Sequence, residues 1–254
     1  MIDPAEAAQV LRRARLERRT IERFTSAHAD LTGEWAYAVQ ELDLQARRLD
    51  GELLVGRKLG LTSDAKQATM GIDQPIYGFL TDAMRLDSTL LLGDLGQPRV
   101  EPELVLRLAR DLDRAITIDE VAHYADAVTV GAEVIDSRYT DYRFAFADVV
   151  ADAASAGAFA LGPWRPLAGL DFDALHGSIA EDDVEVHRAP LTAVLGDPLR
   201  ALVLLSQHLA GRSETLDAGS IVFSGAITDA IPLRAGSRYT ASINGIGDVV
   251  IAAA

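Results

Sequence analysis

The sequence predicts an α+β fold, a mixed sheet or rolled barrel behind a helical N-terminal segment. Three observations predict it. Two charged stretches with helical patterning fill the first 50 residues. Alternating, β-rich segments punctuated by glycine and proline follow them. Those segments lack the regular βα alternation that an all-parallel sheet requires. No repeat or low-complexity linker divides the chain, so residues 1–50 read as a helical segment and 51–254 as one β-rich structural unit.

Each element has a local cause. Asp3-Pro4-Ala5-Glu6 sets a capping residue before proline at the first helical position, and Glu6 fits a capping box, so a helix should run to about Phe24. AYAVQELDLQARRL carries Ala36, Val39, Leu42 and Leu44 near one face of a second helix. LLVGRKLGL (53–61) alternates as a strand and leads into MGIDQPIYGFL, read as a loop from its glycine and proline. RVEPELVLRLAR is the next strand, Thr117 to Glu120 opens a short helix by a second capping box, and AVTVGAEVIDSR (127–138) is strand-like. ASAGAFALG, DVEVHR, GSIVFSG and SRYTASINGIGDVVI read as further strands, interrupted by the helix PLRALVLLSQHLAG.

Composition narrows the function. A chain of 254 residues buries a sizeable core. No run of about 18 uncharged apolar residues is present to span a membrane. The opening stretch is charged throughout, unlike a secretory signal, which makes a cytoplasmic location the expectation. A net charge of −14 argues against a nucleic-acid partner and means that an anionic ligand needs a local positive focus. The chain has no cysteine, which excludes thiolate metal sites, and its five histidines are scattered without ligand spacing. Asn244-Gly245-Ile246-Gly247 lacks the full dinucleotide fingerprint and a following helix. Only two lysines occur, Lys58 and Lys66, against many arginines. Lysine can lose its proton when buried and arginine cannot, so either is a candidate for chemistry; compositional drift is the plain alternative.

Within RVEPELVLRL, Glu101 and Glu103 are two apart on a strand and should face the same way. Glu133 lies among Ala132, Val134 and Ile135, where an unpaired carboxylate is costly. Three glutamates on two core strands point to a divalent cation. An all-oxygen set suits Mg²⁺, Mn²⁺ or Ca²⁺ rather than Zn²⁺. The alternative is pairing with Arg99 or Arg107 on a solvated edge. Arg138, close behind, reads as a loop-shaping partner of Asp136 or Asp141.

Several segments together resemble the 2-keto-4-pentenoate hydratase and 4-oxalocrotonate decarboxylase branch of the fumarylacetoacetate hydrolase superfamily: LTGEWAYAVQ, GRKLGLTSDAKQATMGIDQPIYGFL, RVEPE, AEVIDSRYTDYRF, VVADAASAGAFALG, FSGAITDAIPL and NGIGDVV. They run in order over nearly the whole chain. The resemblance implies a mixed β-roll holding Mg²⁺ or Mn²⁺, with Glu101, Glu103 and Glu133 as ligands and Lys58 as the active-site lysine. It sets Ile76, Tyr77 and Ser155 against a small 2-keto acid substrate. Ala153 and Ala156 stand where the family usually has asparagine and a second serine, which alters the polar contacts of that wall.

Two chemistries share this scaffold. Hydratases of the family typically carry DEPDFG or DEPDYG, whereas this chain reads DQPIYG, with Ile76 in place of an aspartate. PIYGFL and GAIT followed by DAIPL look like the decarboxylases, while ASAGAFALG is closer to the hydratases. The resemblance therefore implies decarboxylation of 2-oxohex-3-enedioate to 2-hydroxypenta-2,4-dienoate in aromatic catabolism. The alternatives are hydration of that dienol, or a metal-binding partner subunit without turnover. A homo-oligomer, or a complex with a paralogous chain, is also implied.

Overall fold

The computed structural model describes residues 2–63, 67, 72 and 74–254. Lys66, Met70, Gly71 and Asp73 of the motifs above lie outside the described residues.

Helix α1 (Pro4–Leu16) starts where the sequence says, with the Asp3 carboxylate accepting from the Ala5 and Glu6 amides. It buries Ala7, Ala8, Leu11 and Ala14 and stops at Leu16, short of Phe24, because the apolar stripe gives way to Glu17 and Arg18. The chain then turns through Arg18 at φ 54, and Ile21 makes a strand-like bridge to Tyr139. Helix α2 (Gly33–Leu49) is capped by the Thr32 hydroxyl, which accepts from the Trp35 amide at 3.2 Å. Both helices share an apolar cluster with Ile76, Tyr139 and Val150.

The strands are β1 (Leu54–Gly60), β2 (Ile76–Thr81), β3 (Thr89–Leu90), β4 (Arg99–Leu108), β5 (Ala125–Ile135), β6 (Ala156–Leu161), β7 (Arg165–Pro166), β8 (His176–Glu181), β9 (Val184–Pro190), β10 (Ile221–Ala226), β11 (Ile231–Pro232), β12 (Arg238–Ile243) and β13 (Gly247–Ala253). Among the described residues shorter helices join them, including α3 (Val121–Tyr124), entered through the Thr117–Glu120 capping box, α4 (Phe146–Ala151) and α5 (Arg200–Gly211). Part of the segment expected as a loop is strand β2: the residues from Ile76 onward complete the β1 ladder, and tertiary pairing overrides their turn composition.

One sheet runs β2-β1-β10-β4-β5-β6, with β11 on β4 and β7 on β5; the other runs β3-β13-β12-β8-β9. Each contains one parallel pair, β1 with β10 and β3 with β13, so both are mixed. Neither described sheet closes into a barrel. The β-roll expectation survives as two packed sheets.

Strand alternation divides their side chains. Val100, Leu104 and Leu106 of β4, with Val128, Val130 and Val134 of β5, pack against Ile179, Tyr239, Ala241 and Ile251 of the second sheet. Val105 faces the opposite way, into a cluster with Phe79, Phe159 and Phe223. Glu101 and Glu103 share the parity of Val105, so the register that builds the core also turns them away from it. No helix among the described residues is long and apolar enough to cross a membrane.

Candidate metal centre

Glu101 of β4 lies opposite Glu133 of β5 in the ladder, and Glu103 follows two residues along on the same face. One carboxylate oxygen from each of Glu101, Glu103 and Glu133 falls within 4.8 Å of the others, and all three residues are buried. Lys58 enters from β1, its Nζ 3.1 Å from Glu133 Oε2 and donating to the Ala154 carbonyl at 3.1 Å.

The alternative of a solvated, arginine-paired edge does not hold. Arg107 pairs with Asp126, and the Arg99 guanidinium lies over the Tyr142 ring, 4.2 Å from its centroid. Two fully buried carboxylates, Glu103 and Glu133, meet one ammonium among the described residues, that of Lys58, which leaves negative charge for a cation to offset. Glu103 Oε1 and Glu133 Oε1 are buried without a hydrogen-bond donor. Such atoms are costly unless something positive occupies the space between them. An all-oxygen cluster with orphaned lone pairs fits a hard cation.

The electrostatics follow from that crowding. Burial, then the charges of Glu133 and Glu101, push the Glu103 carboxyl well above its usual range, with Lys58 opposing. Burial likewise raises Glu133 while Lys58 holds it down. Burial alone would lower Lys58, but Glu133, Glu103 and Glu101 outweigh it and keep the ammonium above its ordinary value. Without a dication the cluster therefore favours holding a proton; a cation would displace it.

Two backbone features hold these side chains. The β10–β4 ladder shifts register between Phe223 and Ala226, and within that irregularity the Gly225 amide donates to Glu103 Oε2 at 2.7 Å. Gly225 sits at φ +106, and a Cβ there would come 2.0 Å from Thr62 Oγ1, so only glycine fits. Across the cleft, Ala153, Ala154 and Ser155 run consecutively through left-handed conformations at φ 48, 53 and 59. Each non-glycine residue there costs about 1–2 kcal/mol. Arg138 braces the turn: its side chain pairs with Asp152 Oδ1, Nη2 donates to the Asp152 carbonyl at 2.6 Å, and Nη1 donates to the Ala156 carbonyl at 3.1 Å. Its partner is thus Asp152, not the expected Asp136 or Asp141. The turn aims the Ala154 carbonyl at Lys58 and leaves the buried Ser155 hydroxyl without a partner.

A cleft of about 520 Å³ opens over this floor, lined by Lys58, Glu101, Ile76 and Ser155 and walled by Leu61, Ile135, Phe144 and Val149. Glu103 and Glu133 are fully buried beside it. The structure therefore brings together Lys58, Ile76, Ser155 and the three glutamates. It does not bring Tyr77, which alternates with Ile76 on β2 and faces the other way. The Tyr77 ring stacks on His208 with centroids 4.0 Å apart, and its hydroxyl donates to the Leu204 carbonyl at 3.4 Å. Sequence reasoning missed Tyr142, Phe144 and Asp229, which also line the cleft, and the pocket placement of Arg99. Arg99 was findable, because it shares the face of Glu101. The others reach the cleft from loops whose course no local pattern gives.

A family model described as fumarylacetoacetate (FAA) hydrolase C-terminal matches residues 76–252. The chain is 36% identical over 254 residues to 2-keto-4-pentenoate hydratase 1 of Dechloromonas aromatica (strain RCB), covering 98% of this chain and 96% of that one. It is 35% identical over 246 residues to a 4-oxalocrotonate decarboxylase of a Pseudomonas species, covering 93% and 96%. Among solved structures, 4-oxalocrotonate decarboxylase from Pseudomonas putida G7, complexed with magnesium and adipate, superposes with a TM-score of 0.94 at 32% identity, covering 99% of this chain and 97% of that one.

Proposed function

The chain belongs to the fumarylacetoacetate hydrolase family, and from that premise we propose that it is a lyase decarboxylating 2-oxohex-3-enedioate to 2-hydroxypenta-2,4-dienoate. Glu101, Glu103 and Glu133 would hold Mg²⁺ or Mn²⁺. The bound ion supplies Lewis-acid polarisation of the 2-oxo group of the substrate. The observation carrying the choice of reaction is Ile76: an apolar side chain lines the cleft beside Lys58, where a water-adding enzyme gains from a carboxylate.

The protein groups divide the work. In the reaction, the C5–C6 bond breaks, CO₂ leaves, and the electron pair spreads through the C3–C4 double bond toward the 2-oxo oxygen. Lys58, charged and held between Glu133 and the Ala154 carbonyl, offsets the negative charge that grows there and donates the proton of the enol. Ile76, Phe144 and Val149 keep water out of the cleft, which protects the growing carbanion from being quenched. Ser155 supplies the polar contact of the opposite wall.

The second reading is hydration of the dienol. Asp229 favours it, since it lines the same cleft with a carboxylate able to orient water. Assaying purified chain with each substrate, in Mg²⁺ and in EDTA, separates the readings. CO₂ release from the dioate supports the first, and dienol consumption without gas the second. Metal binding with neither leaves only a partner subunit. The proposal extends to one structural unit across residues 1–50 and 51–254, a cytoplasmic location, and self-association or pairing with a paralogous chain, which ultracentrifugation tests.

A further inference from the structure

Arg99 stands apart from the other charged groups of the cleft. Lys58 is engaged by Glu133, whereas Arg99 has no carboxylate within ion-pair distance among the described residues. It lines the cleft half-buried, in a chain whose net charge of −14 gives most arginines an acidic neighbour. Its place is fixed by β4: Arg99, Glu101 and Glu103 are successive residues on one face, so the guanidinium stem leaves the strand about 6.6 Å outward from Glu101.

Tyr142 holds it there. The guanidinium lies over the ring, 4.2 Å from the centroid, and the Tyr142 hydroxyl donates to the Ile135 carbonyl at 2.9 Å and the Gln97 carbonyl at 3.0 Å. Stacking orders the cation while leaving its in-plane N–H donors for a planar oxyanion. An anion reaching it would lie along the cleft from the glutamate cluster, with the apolar side chains of Ile135 and Phe144 beside it.

We infer that Arg99 receives the distal carboxylate of a bound 2-oxo dicarboxylic acid, and so selects diacids over monoacids. This rests on the reading of the glutamate cluster as the anchor for the 2-oxo acid end. The extended carbon chain between the two ends then spans the interval from Glu101 to Arg99. Pairing the carboxylate that is later lost stabilises bound substrate more than transition state, so Arg99 lowers KM and kcat together, and its removal raises both.

The test compares 2-oxoadipate with 2-oxohexanoate, which differ only in the distal carboxylate, by titration into Mg²⁺-loaded protein. Wild type should bind the diacid at least about tenfold more tightly. Arg99→Met should remove that preference while weakening the monoacid less than about threefold, and Arg99→Lys should restore part of it. Equal loss for both ligands, or an undiminished preference in Arg99→Met, overturns the inference. Should Arg99→Met not fold, Tyr142→Leu carries the test: selective weakening of the diacid is expected, and unchanged selectivity overturns the inference. Binding and turnover fail separately. Arg99-dependent diacid binding without CO₂ release rejects the proposed reaction alone; CO₂ release with a KM indifferent to Arg99 rejects this inference alone.

Discussion

Glu101 and Glu133 stand directly across from one another in the antiparallel β4–β5 ladder, both on the face turned away from the intersheet core. Like charges so placed destabilise a sheet. Their persistence in a buried site is the physical ground for a metal reading, and it makes the glutamates separable by experiment.

Glu101→Gln removes one charge of this facing pair while keeping the shape. Turnover should fall at least about a thousandfold while the fold survives. Steady-state kinetics and urea titration in EDTA check both halves. A variant that keeps its activity would remove Glu101 from the site.

Metal should stabilise the fold. With Mg²⁺ at a hundred times its dissociation constant, linkage gives about 2.7 kcal/mol, seen as a higher melting temperature that EDTA reverses. Glu133→Gln should lose this response and also lower apoprotein stability, since it strands the buried Lys58 ammonium. Scanning calorimetry with and without metal reads both.

Ile76→Asp puts a carboxylate into the apolar wall. The ratio of dienol hydration to dioate decarboxylation should rise at least about tenfold, measured on one preparation with both substrates. An unchanged ratio would show that Ile76 only packs.

His208 supplies a pH signature remote from the cluster. It is packed between Tyr37 and Tyr77, near Arg57, Arg212 and Glu214. Burial, then the Arg212 charge, takes it from 6.5 down to about 4. The unfolded chain thus binds a proton that the folded one refuses, so stability should fall as pH drops from 6.5 toward 4. Urea midpoints at pH 7.5 and 5 measure the loss, and His208→Phe should reduce it. An equal loss in the variant would place the pH dependence elsewhere.

Ala153→Gly relieves the first of three consecutive left-handed residues. It should stabilise the protein by about 0.5–1 kcal/mol, once the added freedom of the unfolded chain is set against the released strain. Denaturant midpoints of the variant and wild type decide it.

Much of the site was legible because strand periodicity acts over two residues. The parity of Glu101 and Glu103 follows from spacing alone, and the apolar neighbours of Glu133 mark a carboxylate needing compensation. Tyr77 departs from expectation for the same reason: adjacency to Ile76 in sequence means opposite faces in a strand, and the glycine and proline of MGIDQPIYGFL signal a loop where β2 forms. Helix α4 and strand β8 were not anticipated, being short and weakly patterned. The Arg138–Asp152 brace was hidden because its partners meet only through tertiary contact.

The pairing of β4 with β5 has a consequence for assembly. Were β4 to slide by a single residue, its parity would invert: the carboxylates would be thrust into the oily seam between the sheets, and the valines and leucines would line the cleft. No half-correct alignment can both seal the interior and gather the acids. Correct threading of this hairpin and competence to bind an ion thus arrive together, and a mis-registered chain is disqualified on both counts at once.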